Sequence, residues 1–194
     1  MMGKAKASGR FDFTPFVCAS AVPTDNADAC LVNGWYSLTE NAQGCPISGA
    51  PLFVAGAKNC IWQYAFDSQT GSELRRNSVD GGASWKPWEW ENPPVADGSE
   101  YRTTARYDGR PVYAKRIVIQ SAPNSAVATN PHGLLGIFPI AWEARAGNGE
   151  TELVLPYCGQ FTVGVDSTDI MLTTTEDYSG YAVEITLRYC KAED

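Results

Sequence analysis

The chain has 194 residues, a net charge of −7, 44% hydrophobic residues and only 19% charged ones. That length suits one large domain or two small ones with ordinary cores. The acidic balance excludes a nucleic-acid binder, because a phosphate backbone is repelled, and no stretch is long and apolar enough to span a membrane.

Residues 1–28 carry little periodicity and read as a leader or linker; Lys4, Lys6 and Arg10 precede a short apolar run that Asp12 and Pro15 interrupt, so no signal peptide is expected. Strands dominate from Leu31. A first is predicted over Leu31–Leu38, bent at Gly34. Pro51–Ala55 and Cys60–Phe66 form a predicted hairpin. In the second of these, Ile61, Gln63 and Ala65 fall on one face, and Trp62, Tyr64 and Phe66 on the other. An all-aromatic face needs a core or a partner. Ser72–Asn77 leads into a turn and Trp85–Trp90 leads out of it.

The turn is the most informative local feature. Ser78-Val-Asp-Gly-Gly-Ala-Ser-Trp85 fits the pattern Ser-x-Asp-x-Gly-x-Ser/Thr-Trp. Ser78 and Asp80 supply acceptors, Gly81 and Gly82 tolerate positive φ, and Trp85 anchors the turn from beneath. A single copy argues against a propeller, which repeats the motif in every blade. Beyond it, Pro93-Pro94 and Asp97-Gly98 mark a corner and a module boundary. Further strands are predicted at 101–106, 112–119, 151–156, 160–165 and 170–174. Leu134–Trp142 reads as a strand buried on both faces, and Tyr181–Tyr189 as the cleanest alternating strand. No amphipathic helix or tandem repeat is evident. The predicted fold is all-β: a small module over 29–93, then an antiparallel β-sandwich over 94–194.

Gly34-Trp-Tyr36, Ile61-Trp-Gln-Tyr64, Leu74-Arg-Arg76 and Asp80-Gly-Gly-Ala-Ser-Trp-Lys-Pro-Trp88 together resemble the pyocin knob module of phage and pyocin tail fibres. The stretch Thr103–Lys115, with His132-Gly133, Leu155-Pro156 and Arg188-Tyr-Cys-Lys191, is similar to a segment that often follows the knob in prophage tail proteins. The resemblance implies a virion-tail protein, made in the bacterial cytoplasm, whose trimeric C-terminal tip contacts the host surface beside other tail or baseplate proteins. Two rival readings are a free-standing carbohydrate-binding module and a polysaccharide-degrading enzyme.

Catalysis has little to work with, and no enzyme is expected. The single histidine, His132, lies in a turn, and no Gly-x-Ser-x-Gly elbow is present. The carboxylate pairs Glu89/Glu91, Asp166/Asp169 and Glu176/Asp177 sit where solvated carboxylates are routine. No cofactor is expected; the one metal option is three copies of His132 meeting on a trimer axis. The six cysteines lack metal-ligand spacing and read as free thiols, Cys190 as a small buried hydrophobe. Binding is better supported. Trp88, Trp90 and Tyr64 are the candidate stacking surfaces for sugar rings, and Arg75 and Arg76 the candidate partners for acidic groups. Trp88 and Trp90 are expected to share an exposed strand face. Trp85 and Trp62 are expected to be core anchors. Loops at 144–150 and 174–180 are expected to contact a receptor.

Overall fold

A computed structural model describes residues 24–194, and these are almost entirely strands. The fold is all-β. The chain divides into two units, at Trp88 and Glu89.

In the first unit the strands are β1 (Thr24–Asn26), β2 (Gly34–Gln43), β3 (Pro51–Ala57), β4 (Cys60–Phe66) and β5 (Glu73–Ser78), hydrogen-bonded in that order. A one-turn 3-10 helix, Ala27–Ala29, follows β1. β1 runs parallel to β2; the other pairs are antiparallel. Strict alternation along β3, β4 and β5 sends Leu52, Val54, Ile61, Ala65 and Leu74 inward, and the first four pack with Ala27, Cys30 and Leu38. The β3–β4 hairpin turns at Lys58 and Asn59, Lys58 taking a φ of 55°.

Residues 24–28 were expected to belong to a leader. They are instead part of this core: Ala27 is fully buried, and Gln63 donates from Nε2 to the carbonyls of Ala27 (2.7 Å) and Cys30 (2.9 Å). The remainder of the expected leader, 1–23, lies outside the described residues. The first long strand begins at Gly34 rather than Leu31, leaving Leu31 and Val32 exposed. The expected strand over Trp85–Trp90 shrinks to β6, Glu89–Trp90. Pro87 has no amide to pair, and Trp85 and Trp88 pack against the first unit's core instead. The module boundary accordingly falls before the Pro93-Pro94 corner. Trp88 closes the first unit, while Glu89 pairs with Arg102 and Arg106 of the second.

The Asp80 turn forms as its residues predict. Ser78 Oγ donates to Asp80 Oδ1 (2.7 Å) and accepts from the Gly82 amide (2.8 Å). Asp80 accepts from the Ser84 amide (2.9 Å) and hydroxyl (2.6 Å). Gly81 and Gly82 have φ of 75° and 94°. A Cβ on Gly82 would stand 2.4 Å from Leu31 Cδ2. Led by the hydroxyls of Ser84 and Ser78, these donors hold the Asp80 carboxyl down at about 2. A depressed carboxylate stabilises the fold above its ordinary value and loses that contribution as pH falls through its folded value. An acid titration of the wild type against Asp80→Asn should therefore show a stability gap at neutral pH that narrows below pH 3.8 and closes at about pH 2. A gap independent of pH would mean that the charge is not what the turn uses.

The second unit holds two sheets. One has the order β6–β7–β8–β14–β10–β11, with β7 at Glu100–Tyr107, β8 at Arg110–Ile119, β10 at Ile137–Gly147, β11 at Glu152–Leu155 and β14 at Ala182–Lys191. The other has the order β12–β13–β9, with β9 at Val127–Pro131, β12 at Phe161–Val165 and β13 at Asp169–Thr174. Ala144, Ala146, Leu153, Val183 and Ile185 of the first sheet share one core with Phe161, Ile170 and Leu172 of the second, so the two sheets form a sandwich. β14 is central, and its inward positions Val183, Ile185, Leu187 and Tyr189 are all fully buried. Cys190 is also buried, and the five described cysteines are free thiols; Cys18 lies outside the described residues.

The apolar run 134–142 is not buried on both faces. Leu135 is 92% exposed and Phe138 56%. Gly133 and Gly136, with φ of 71° and 60°, bend 133–136 into a loop, and the pairing register shifts between Pro139 and Ala141. Apolar content here marks a loop and an irregular strand start rather than a buried strand.

Candidate ligand-binding face

The alternation that builds the first unit's core also builds its opposite face. Residues out of phase with the core positions are Trp35 on β2, Phe53 on β3, Trp62, Tyr64 and Phe66 on β4, and Glu73, Arg75 and Asn77 on β5. Register then aligns them. Trp35 pairs with Phe53, Phe53 with Tyr64, and Tyr64 with Arg75, giving one unbroken cross-strand row. Trp62 pairs with Ala55 on one side and Asn77 on the other.

The rings lie in mutual contact. Centroids are 5.0 Å apart for Trp35 and Phe53, 6.1 Å for Phe53 and Tyr64, 6.3 Å for Trp62 and Tyr64, and 5.6 Å for Trp35 and Phe66. The Trp62 and Tyr64 planes differ by 24°. The Arg75 guanidinium lies 5.9 Å from the Trp62 centroid. Trp35 is 39% exposed, and Phe53, Trp62, Tyr64 and Phe66 are half-buried. Three inter-strand steps carry the row across roughly 14 Å. A partly exposed aromatic surface of this extent, edged by a guanidinium, a carboxylate and an amide, suits a ligand with apolar C–H faces and polar margins.

The structure divides the sequence-predicted residues. Tyr64 and Arg75 lie on this face. Trp62, expected in the core, lies there too, because β4 alternation puts Gln63 inward in its place. Arg76 does not bind at the surface: it is buried on the opposite face of β5. There it donates from Nε to Gln63 Oε1 (2.9 Å) and from Nη2 to Asp28, and its guanidinium lies between Trp85 (4.4 Å) and Trp88 (4.5 Å). Burial draws the Arg76 pKa down and the Asp28 carboxylate opposes it; a guanidinium remains charged regardless. Trp88 is thereby committed to structure, its Nε1 donating to the Gly44 carbonyl (2.7 Å). Trp85 packs against the first unit's core. Trp90 falls in the second unit, where it meets Tyr101 edge-on at 5.3 Å.

His132 is held by the backbone on both ring nitrogens. It is buried, Nδ1 accepts from the Leu134 amide (3.1 Å), and Nε2 faces the Asp166 carbonyl (3.3 Å). The carboxylates considered as pairs mostly have structural partners. Glu89 binds Arg102 and Arg106, Asp166 accepts from the amides of Thr168 and Asp169, Glu176 accepts from Gln160, and Asp177 accepts from the Ser179 amide. Of the two loops expected to contact a receptor, 144–147 is strand, leaving the turn at 148–151, and 174–180 is tied down by the buried Thr174 and Tyr178. Sequence reasoning missed Trp35 and Phe53 as members of the row. Their signal was present in the alternation of β2 and β3, but the register that joins them to Tyr64 was not.

No protein-family profile matches the chain, and no curated protein matches it. Among solved structures it is similar to an N-truncated R2-type pyocin tail fibre at 12% identity and a TM-score of 0.32, covering 86% of this chain and 94% of that one. It is also similar to an R2 pyocin fibre from P. aeruginosa at 12% identity and a TM-score of 0.30, covering 86% of this chain and 65% of that one. Both scores are too low to establish a shared fold.

Proposed function

We propose that the chain is a phage or prophage tail protein that recognises a host-surface glycan, acts as a homotrimer beside other tail or baseplate proteins, and carries out no chemical step. The row Trp35–Phe53–Tyr64–Arg75 carries this reading. Pyranose C–H faces stack on the rings, and Arg75, Glu73 and Asn77 complete the hydrogen bonds at the edge. A flat stacking surface gives weak single-site affinity, which three copies multiply through avidity.

A glycan array of bacterial surface polysaccharides should yield at least one ligand. Trp35→Ala and Tyr64→Ala should each weaken that ligand roughly tenfold, the equivalent of about 1.4 kcal/mol, while the melting transition remains cooperative. Light scattering should give three times the monomer mass. Retained affinity in both variants would remove the aromatic face from the reading, and a monomer mass would favour a free-standing carbohydrate-binding module. Release of reducing ends from the bound polysaccharide would replace both with an enzyme.

A further inference from the structure

The second unit contains a cavity of about 420 Å³ between the loop 133–136 and the end of β14. Its lining includes Leu134, Leu135 and Ile137 together with Glu100, Lys191 and Glu193. Glu100 is held from beneath. The fully buried Tyr189 donates its phenol to Glu100 Oε2, and Lys191 Nζ donates to Glu100 Oε1 (2.5 Å). Lys191 Nζ in turn sits 4.3 Å from the Tyr113 centroid, and the Tyr113 ring stacks on Tyr189 at 5.9 Å. Burial, reinforced by Glu100, pushes the Tyr189 phenol well above its ordinary range, so it remains a donor.

These partners leave capacity on the cavity side. Each carboxylate oxygen of Glu100 spends one lone pair on its donor and keeps another. The Lys191 ammonium has three N–H groups, of which Glu100 takes one and the Tyr113 ring faces one. A fixed acceptor pair and a fixed donor thus line the same cavity as apolar side chains, with the supporting groups locked by packing. Two carboxylates against one ammonium disfavour an anionic ligand.

We propose that this cavity is a second ligand site, taking one neutral hydroxyl-rich ring of the hexopyranose class, with adjacent hydroxyls on Glu100 and Lys191 and a C–H face on Leu134 and Leu135. The site belongs to the second unit and does not depend on the aromatic face of the first.

Saturation-transfer NMR on the full chain, with the methyl glycosides of glucose, galactose and mannose as probes, tests it. At least one should bind saturably. Glu100→Gln should weaken that binding tenfold or more, and Tyr189→Phe severalfold through loss of the support beneath Glu100. All of these measurements are made in the Trp35→Ala/Tyr64→Ala background, which silences the aromatic face, so that a failed aromatic face and a failed cavity give different results. Should Glu100→Gln not fold, Leu135→Arg, at a side chain 92% exposed, fills the cavity mouth without touching the core and should abolish binding. The site is overturned if none of the three glycosides binds, or if binding survives both Glu100→Gln and Leu135→Arg. A methyl glucuronide that outcompetes the glucoside overturns its neutral class.

Discussion

Arg76→Ala should destabilise the first unit by about 3 kcal/mol, measured by urea unfolding with tryptophan fluorescence. Three losses combine. Gln63, fully buried, loses the donor to its Oε1 while its Nε2 remains tied to Ala27 and Cys30. Asp28 loses its cation, at a smaller cost because its side chain is 48% exposed. Trp85 and Trp88 lose the guanidinium packed between their rings. Asp28→Ala alone should also be costly, since it leaves Arg76 charged and buried without its carboxylate. The double variant Asp28→Ala/Arg76→Met should cost less than the sum of Asp28→Ala and Arg76→Met made singly, because removing both partners leaves no charge unpaired. Strict additivity would mean that Asp28 and Arg76 are not energetically coupled.

Phe161→Ala should destabilise the second unit by about 3–5 kcal/mol. Phe161 is fully buried, its ring is 5.0 Å from Tyr178, and it stands among residues of both sheets. Truncation removes transfer free energy and leaves a cavity that two hydrogen-bonded sheets cannot close by collapsing. Val154→Ala, at an exposed position on β11, serves as the control and should shift stability by less than about 0.5 kcal/mol. A Phe161→Ala cost near that of the control would show that the sheets are not joined through this ring.

Much of the fold was legible because alternation is a local signal. The inward Ile61, Gln63 and Ala65 and the outward Trp62, Tyr64 and Phe66 follow from period two alone, as does the core face of β14. The Asp80 turn was legible because each hydrogen bond spans four residues or fewer. The candidate site was only partly legible. Tyr64 and Arg75 were singled out and lie on the aromatic face, but Arg76 was read as an equal neighbour of Arg75. Two adjacent arginines on a strand point to opposite faces, and only a partner for each says which one is buried.

The sequence by itself determined the strand-built class, the phase of its best strands and the one tight turn, because period-two patterning and glycine conformational freedom act within a few residues. Tertiary structure alone decided that Trp35 and Phe53 extend the Tyr64 row, that Arg76 is enclosed by Asp28 and two tryptophans, and that the apolar run after His132 opens into a loop. Those outcomes depend on register and on contacts between residues up to 48 positions apart, where the free energy of one pairing is set against every competing one and no local pattern records the result.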